Sequence, residues 1–292
     1  MINWQMWYHL SETDWYSRIG MVYPAVWAVV FFWIFAFGAC WGSFLNVCIW
    51  RIPRGESLSK AASHCTSCGK PICWHDNLPV ISFLILRGRC RHCRSSYSAA
   101  YFWVELCCGV LFVLEVLKSG FLRQTPAVIP AEFAMIFFAL GCALIDIKHR
   151  IIPDKMNYAA MVCGLISALL LPQAWGDLPR LTAGALCIVS GALPALILYL
   201  FAAAGKWLCR RNVVGMGDVK FVMASGMLIG MPGAIFALLF ACISGSLWGI
   251  FTQKGKEEKF IAFGPFLAAG TVIWIFSGNF LLDIYYRICI NI

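Results

Sequence analysis

The chain has 292 residues, of which 61% are hydrophobic and only 13% are charged, and its formal net charge is +9. Soluble domains carry about 25% charged residues, so this composition excludes an ordinary soluble protein and predicts an integral membrane protein in a lipid bilayer. The positive charge does not require a nucleic-acid partner, because membrane proteins concentrate Lys and Arg in their cytoplasmic loops. We therefore predict no nucleic-acid binding.

The chain begins with a mixed segment, 1–23, that contains three acidic or basic residues and predicts a short extracytoplasmic segment rather than a cleavable signal peptide. The run 24–50 is free of charge and long enough to be the first transmembrane helix. Its second half is rich in small residues (Gly38, Ala39, Gly42 and Ser43), which favour close helix packing.

A polar loop over 51–98 contains two Cys-x-x-Cys pairs, Cys65 with Cys68 and Cys90 with Cys93, separated by twenty-one residues. This spacing is typical of a structural zinc site with four thiolate ligands. We predict a small cytoplasmic zinc domain, with Gly69 and the Arg-Gly-Arg at 87–89 allowing the turns. A redox pair or four free thiols are the alternatives.

An apolar stretch, 78–84, interrupts this loop and is too short to span a bilayer. It predicts either the core of the small domain or a surface that faces the membrane.

The rest of the chain predicts an all-α polytopic architecture of about eight transmembrane helices. A second span with its outer loop covers 99–128, a six-helix domain covers 129–285, and 286–292 form a C-terminal tail. The spans after the first are predicted at 99–117, 129–147, 156–171, 181–204, from Asp218 to a turn at 230–233, 234–252 and 261–282. With this count the inner loops hold eighteen of the 23 Lys and Arg residues, so the positive-inside rule places the zinc loop in the cytoplasm.

Two acids lie at the mouths of these spans on that same side. Asp146 ends the third span, and Asp218 begins the sixth within Gly215-Met216-Gly217-Asp218. A carboxylate bordering hydrocarbon is costly and is a functional hypothesis by default. Two adjacent carboxylates would share a proton, giving one base that activates water and one acid that protonates a leaving amine. Gly215 and Gly217 would let the backbone approach a substrate, and ordinary acids at helix ends are the alternative.

These motifs, taken together, resemble the type IV prepilin peptidases, which are membrane aspartic proteases of the GxGD kind. The likeness extends from about 42 to 266 and rests on five blocks: Gly42-Ser43-Phe44-Leu45-Asn46-Val47, the four-cysteine loop, Asp146 ahead of Ile152-Pro153-Asp154, Gly215-Met216-Gly217-Asp218, and Phe263-Gly264-Pro265-Phe266. The resemblance implies an enzyme of the bacterial inner membrane with its active sites facing the cytoplasm. It would cleave the leader from prepilins and pseudopilins and then methylate the new N-terminus.

The resemblance also implies roles for single residues. It favours Asp146 over Asp154 as the partner of Asp218, with Asp154 capping the next helix. The methyl donor would be S-adenosylmethionine, for which the sequence has no glycine-rich motif. The methylation site would lie among Gly88, Glu105 and Asn46. Glu105 would hold the amine or be a helix-packing acid beside an Arg, and Asn46 would serve methylation or form an interhelical hydrogen bond.

Three other functions remain open at this point. The protein could be a peptidase alone, with a purely structural zinc loop. A zinc-containing membrane scaffold would keep the cysteines and the spans without needing the two aspartates. A transporter would use the aspartates for proton or cation relay, but would be expected to hold them nearer the bilayer midplane.

Overall fold

A computed structural model of the chain describes residues 24–59, 63–121, 125–210, 214–252 and 262–290. The predicted N-terminal segment 1–23 and the charged loop at 254–259 lie outside these residues. Within them the chain forms eight α-helices and no β-strand, which confirms the all-α prediction. In chain order these are α1 (Pro24–Arg51), α2 (Ile81–Leu86), α3 (Ala100–Phe121), α4 (Ile129–His149), α5 (Asp154–Leu170), α6 (Arg180–Cys209), α7 (Met216–Thr252) and α8 (Gly264–Ile290).

Six of the described helices are long and apolar enough to cross a membrane, namely α1, α3, α4, α6, α7 and α8. Helix α5, with 17 residues, spans only about 25 Å. Helix α7, with 37 residues, is broken at Gly230, whose φ of 80° and ψ of 164° are not helical. Each predicted span from 24–50 onward corresponds to a helix or to one half of α7, and the count of eight spans stays a prediction.

The break in α7 reverses the direction of the chain. Near its start, Asp218 lies within electrostatic reach of Asp146, whose carboxylate binds the N–H of Gly264. Near its end, Gly245 packs against Phe263, beside the start of α8. In a straight helix positions 218 and 245 would be about 40 Å apart. The start of the first half and the end of the second half of α7 therefore lie near the same end of α8, as the predicted turn at 230–233 requires.

Helices α1 and α3 pack closely through glycines, as the small residues of α1 predict. A Cβ atom placed on Gly38 would lie 2.9 Å from the Cα of Gly109, and one on Gly42 would lie 2.7 Å from the Cα of Glu105. Neither position has room for a side chain. Backbone contact of this kind is how membrane helices gain van der Waals packing without a hydrophobic driving force.

A buried charge network joins α3, α4 and α8 at the end of the bundle away from the small domain. Lys118 was expected in an outer loop, but it lies within α3, which continues to Phe121. Its Nζ lies 2.9 Å from Glu115 Oε2 and 2.6 Å from Glu132 Oε2, and it donates to the carbonyl of Ile275 at 2.9 Å. Glu132, in the first turn of α4, is therefore an ion-pair partner of Lys118. A lysine within a membrane-spanning helix requires such partners, because an unpaired charge in the bilayer is costly.

The alternation of helices places both predicted sites on one face of the bundle. The small domain joins the end of α1 to the start of α3, and α4 runs back toward it after α3. The C-terminal turn of α4, which carries Asp146, thus reaches the same face as the small domain. Close packing around Gly141, whose Cβ would meet Leu45 of α1 and Met156 of α5, holds these helices together.

Candidate active site and metal centre

Asp146 lies in the last turn of α4 and is 5% exposed. Its Oδ2 atom accepts a hydrogen bond of 2.9 Å from the backbone N–H of Gly264, the first residue of α8. Its carbonyl accepts a second bond of 2.8 Å from the N–H of Arg150, which ends α4 in the left-handed conformation at a φ of 55°. The start of α8 thus holds the carboxylate of Asp146 directly, and the C-terminal cap of α4 holds its backbone.

Asp218 lies in the first turn of α7, and its Oδ2 atom accepts a hydrogen bond of 3.2 Å from the N–H of Gly215. The structure brings Asp218 within electrostatic reach of Asp146, although 72 positions separate them in the chain. Each carboxylate accepts a hydrogen bond from a glycine N–H through its Oδ2 atom. The arrangement can therefore act as a paired acid and base.

The glycine loop ahead of Asp218 is held by α5 and the segment before it. A Cβ atom on Gly217 would lie 3.0 Å from the Cβ of Ile152, so a side chain there would require Ile152 to shift. Asn157 of α5 is 1% exposed and donates its Nδ2 to the carbonyl of Gly217 at 3.3 Å. We did not predict this role for Asn157. The sequence feature that could have indicated this role is an amide side chain within a mainly apolar predicted span.

The side chain of Asp154 does not cap α5, contrary to expectation, and it forms an ion pair with Lys220. The N-cap position is Pro153, so Asp154 is already the first residue of the helix and its carboxylate makes no capping hydrogen bond. The side chain is 56% exposed, and its Oδ1 lies 2.8 Å from Lys220 Nζ of α7. An acid in the first turn is still favoured by the helix dipole.

The four predicted cysteine ligands converge. The sulfur atoms of Cys65, Cys68, Cys90 and Cys93 all lie within 4.8 Å of one another, and Cys65 Sγ is 3.8 Å from Cys93 Sγ. A zinc ion bound at about 2.3 Å by four thiolates in a tetrahedron would separate the sulfurs by about 3.8 Å. The donor set therefore fits Zn²⁺.

Two turns of the same design form the cluster. The N–H of Gly69 donates to the carbonyl of Cys65 at 2.9 Å, and the N–H of Arg94 donates to that of Cys90 at 3.0 Å. Gly69 and Arg94 have φ values of 69° and 59°. The Arg-Gly-Arg at 87–89, which we expected to provide the second turn, instead ends α2 in the left-handed conformation. In the second turn, Arg94 is the residue that adopts the strained left-handed conformation.

Local hydrogen bonds favour the thiolate form, which metals bind, at Cys65 and Cys93. At Cys68 the Lys70 N–H is outweighed by desolvation and the neighbouring thiols, which raise the pKa of the Cys68 thiol to about 11. The backbone N–H groups of Cys68 and Ser67 lower the pKa of the Cys65 thiol to about 6. The hydroxyl of Ser95, which lies 3.2 Å from Cys93 Sγ, and the Ser95 N–H lower the pKa of the Cys93 thiol. Thiolates near neutral pH are the state required of zinc ligands.

A cavity of about 1160 Å³ lies between the end of α1, the small domain and the start of α3. Asn46 and Glu105 both line it. Glu105 Oε2 accepts a hydrogen bond of 2.8 Å from the N–H of Val80, and its carboxylate also interacts with Ser43 and Asn46. Asn46 donates to the carbonyl of Tyr101 at 3.1 Å. Two of the three predicted methylation residues thus lie together in one wall.

Gly88 lies outside that wall, directly after α2, with a φ of 65°. A Cβ atom here would lie 3.0 Å from the ring of Phe83, which does line the cavity. The carbonyl of Gly88 accepts a hydrogen bond of 3.0 Å from the N–H of Tyr97, another lining residue. Gly88 therefore supports the cavity wall from behind.

Comparison with known proteins identifies both halves of the chain. Residues 36–119 match the profile described as the bacterial peptidase A24 N-terminal domain, and residues 133–250 match the type IV leader peptidase family. The type 4 prepilin-like proteins leader peptide-processing enzyme of Escherichia coli is 30% identical over 260 residues, which cover 80% of this chain and 89% of that protein. The chain belongs to the type IV leader peptidase family. The predicted family is confirmed.

Other relatives of the type IV leader peptidase family carry a two-activity name. The prepilin leader peptidase/N-methyltransferase of Myxococcus xanthus is 32% identical over 218 residues, covering 74% of this chain and 61% of that protein. The protein of the same name from Vibrio cholerae is 28% identical over 246 residues, covering 81% of this chain and 92% of that protein. The chain spans less than two thirds of the Myxococcus protein. No solved structure gives a significant match to the chain.

Proposed function

We propose that this protein cleaves the leader peptide from type IV prepilins and pseudopilins with Asp146 and Asp218, and then methylates the new N-terminus. The observation that supports the proposal is that two carboxylates from separate helices lie within electrostatic reach of each other at one face of the bundle, each with one oxygen held by a backbone N–H. The names of the relatives support the same two reactions. The enzyme would lie in the bacterial inner membrane, with both sites facing the cytoplasm according to the positive-inside rule.

The cleavage step follows from two carboxylates that share one proton. The ionised carboxylate takes a proton from a water molecule as the water oxygen attacks the scissile carbonyl. The protonated carboxyl donates its proton to that carbonyl, and a later proton transfer to the nitrogen releases the new amine. Gly215 and Gly217 let the loop backbone lie close to Asp218 and Ile152, because neither presents a side chain.

The methylation step would take place in the cavity beside the small domain. Its volume of about 1160 Å³ exceeds the range of about 300–1000 Å³ for small-ligand sites, which leaves room for a cofactor and a peptide end. S-adenosylmethionine, when bound, supplies the methyl group. Glu105 would hold the new amine through its carboxylate and accept a proton from it, while Asn46 fixes the start of α3 through Tyr101.

The zinc ion would be structural in this scheme. All four ligands are cysteines, so no coordination position is open for water or substrate, as is usual for structural zinc. Its role would be to hold the two turns of the small domain, and through them the wall of the cavity that contains Cys65 and Cys90.

Replacing either aspartate of the pair tests the peptidase assignment. We expect Asp146→Asn and Asp218→Asn each to abolish leader cleavage, because an amide can neither take nor give the shared proton. Each purified variant would be incubated with a prepilin, and the product would be weighed by mass spectrometry. Retained folding would be checked by the elution volume in detergent and by zinc content.

Asp154→Asn is the matched control. It removes a carboxylate eight positions from Asp146 that pairs instead with Lys220, so cleavage should persist. An inactive Asp154→Asn together with an active Asp146→Asn would show that the dyad is wrongly assigned.

A further inference from the structure

Helix α2 of the small domain exposes a face that contains only apolar side chains. Ile81, Leu84 and Ile85 are 49%, 61% and 70% exposed, and their i, i+3, i+4 spacing puts them on one side of the helix. The only polar residue of α2, Ser82, is buried and donates to the carbonyl of His75. A helix on a water-facing surface would carry its polar residues outside.

This helix lies at the level of the membrane-spanning segment rather than beyond it. Just ahead of α2, the N–H of Val80 binds Glu105, which lies in the second turn of α3. Phe83 packs on Phe102 with ring centroids 5.1 Å apart. Because the candidate span of α3 begins at Ala100, these contacts place α2 beside the first two turns of that span.

The backbone that precedes α2 is strained and held in place. Val80 has φ and ψ values of 64° and −51°, a conformation that β-branched residues rarely adopt. The Ile81 N–H donates a hydrogen bond of 2.6 Å to the Pro79 carbonyl. This bond closes a γ-turn of the rare, strained type, with positive φ at its central residue. Such strain persists only where surrounding contacts enforce it. The bond to Glu105 is one such contact, and it fixes the direction in which α2 points.

The residues around α2 have the character of a membrane interface. Trp50 and Trp103, at the adjoining ends of α1 and α3, are 45% and 58% exposed, and Trp74 of the small domain is 80% exposed. Tryptophan concentrates at the headgroup level of bilayers. Arg87 and Arg89, directly after α2, are exposed and would meet anionic headgroups.

We propose that α2 is an interfacial anchor, which inserts Ile81, Leu84 and Ile85 into the headgroup–acyl boundary of the leaflet on the small domain's side. The occupant of this apolar face is lipid, because α2 lies beside the first turns of a candidate membrane span and is followed by exposed basic residues. The anchor holds the zinc domain against the bilayer and keeps the cavity at the membrane surface. This inference does not depend on the proposed activities.

Site-specific photocrosslinking of the full-length protein tests the anchor. A benzophenone amino acid would replace Ile85 in protein reconstituted into vesicles of phosphatidylethanolamine and phosphatidylglycerol, and adducts would be identified by mass spectrometry. We expect a lipid adduct at Ile85. The matched control is Ser67, an exposed residue of the first cysteine turn, where we expect none.

Two results would overturn the proposal: labelling at Ile85 no stronger than at Ser67, or an adduct at Ile85 with another protein chain in place of lipid. Should the Ile85 variant lose its zinc and so its fold, the same probe at Leu84 gives the answer. The probe at Leu84 is expected to label lipid as the one at Ile85 does.

Discussion

Gly69 shows at the scale of one residue how the cysteine turns constrain their sequence. Its φ is 69°, and a Cβ atom there would meet nothing within 4 Å. Gly69→Ala therefore adds no clash, and its only cost is the free energy of holding alanine in the left-handed conformation, roughly 1–2 kcal/mol. We expect zinc affinity to fall roughly tenfold, since about 1.4 kcal/mol corresponds to a factor of ten. Chelator competition on the full-length protein, starting from one zinc per chain, measures this.

Asparagine provides the control at the same position. It enters the left-handed region more readily than other side chains, so Gly69→Asn should lose less affinity than Gly69→Ala. Equal affinities for the wild-type protein and Gly69→Ala would mean that the turn relaxes without cost.

Single residues also show where sequence reasoning reaches its limit. The spacing of the cysteines sufficed to predict their cluster. Each Cys-x-x-Cys turn forms locally, and the two turns then have to meet only each other. The N–H that holds Asp146 comes from Gly264, 118 positions away, and no local pattern encodes that contact. Arg94 was missed for a different reason: a non-glycine residue at positive φ leaves no compositional signal.

At the scale of elements, the Lys118 network ties α3 to α4 and α8. Removing one partner of a buried ion pair is expected to cost about 3–5 kcal/mol, because the remaining charge stays buried. Glu115 is fully buried, so Lys118→Met should destabilise the protein strongly. Thermal or SDS-induced unfolding in mild detergent measures the loss.

Arg287→Ala is the control for that change. Arg287 and Asp283 form an ion pair on α8 whose side chains are 73% and 55% exposed, and such pairs contribute at most about 1 kcal/mol. Comparable losses for Lys118→Met and Arg287→Ala would show that the buried network is energetically unimportant.

Hydropathy predicted the existence of the spanning elements better than their ends. Gly230 and Pro232 indicated the reversal within α7, since both interrupt helices. Helix α3 passes beyond the predicted end at 117 because Lys118 finds acidic partners that hydropathy alone does not reveal. Helix α8 likewise extends to Ile290, through residues expected as a tail.

At the scale of the whole molecule, the aspartate pair and the cavity are built on different helices. The pair is formed by α4, α7 and the start of α8, whereas the cavity lies between α1, the small domain and α3. Both lie toward the same face of the bundle, so under the proposed function a substrate would need no passage across the membrane to go from one site to the other. Sequence reasoning predicted this common face from charge counts, but the cavity itself depends on packing between distant segments.

This separation predicts that methylation can be lost while cleavage is kept. Glu105→Gln retains an oxygen that accepts the Val80 N–H, so the cavity wall should persist, but it removes the charge proposed to hold the amine. Gly88→Val should also reduce methylation, because its side chain would meet Phe83 in the wall. We expect mature, unmethylated pilin from both variants, and uncleaved prepilin from Asp218→Asn. Mass spectrometry of one prepilin incubated with each variant and S-adenosylmethionine distinguishes these products. Fully methylated pilin from Glu105→Gln would remove Glu105 from the methylation site, and uncleaved prepilin from both cavity variants would refute the independence of the two sites.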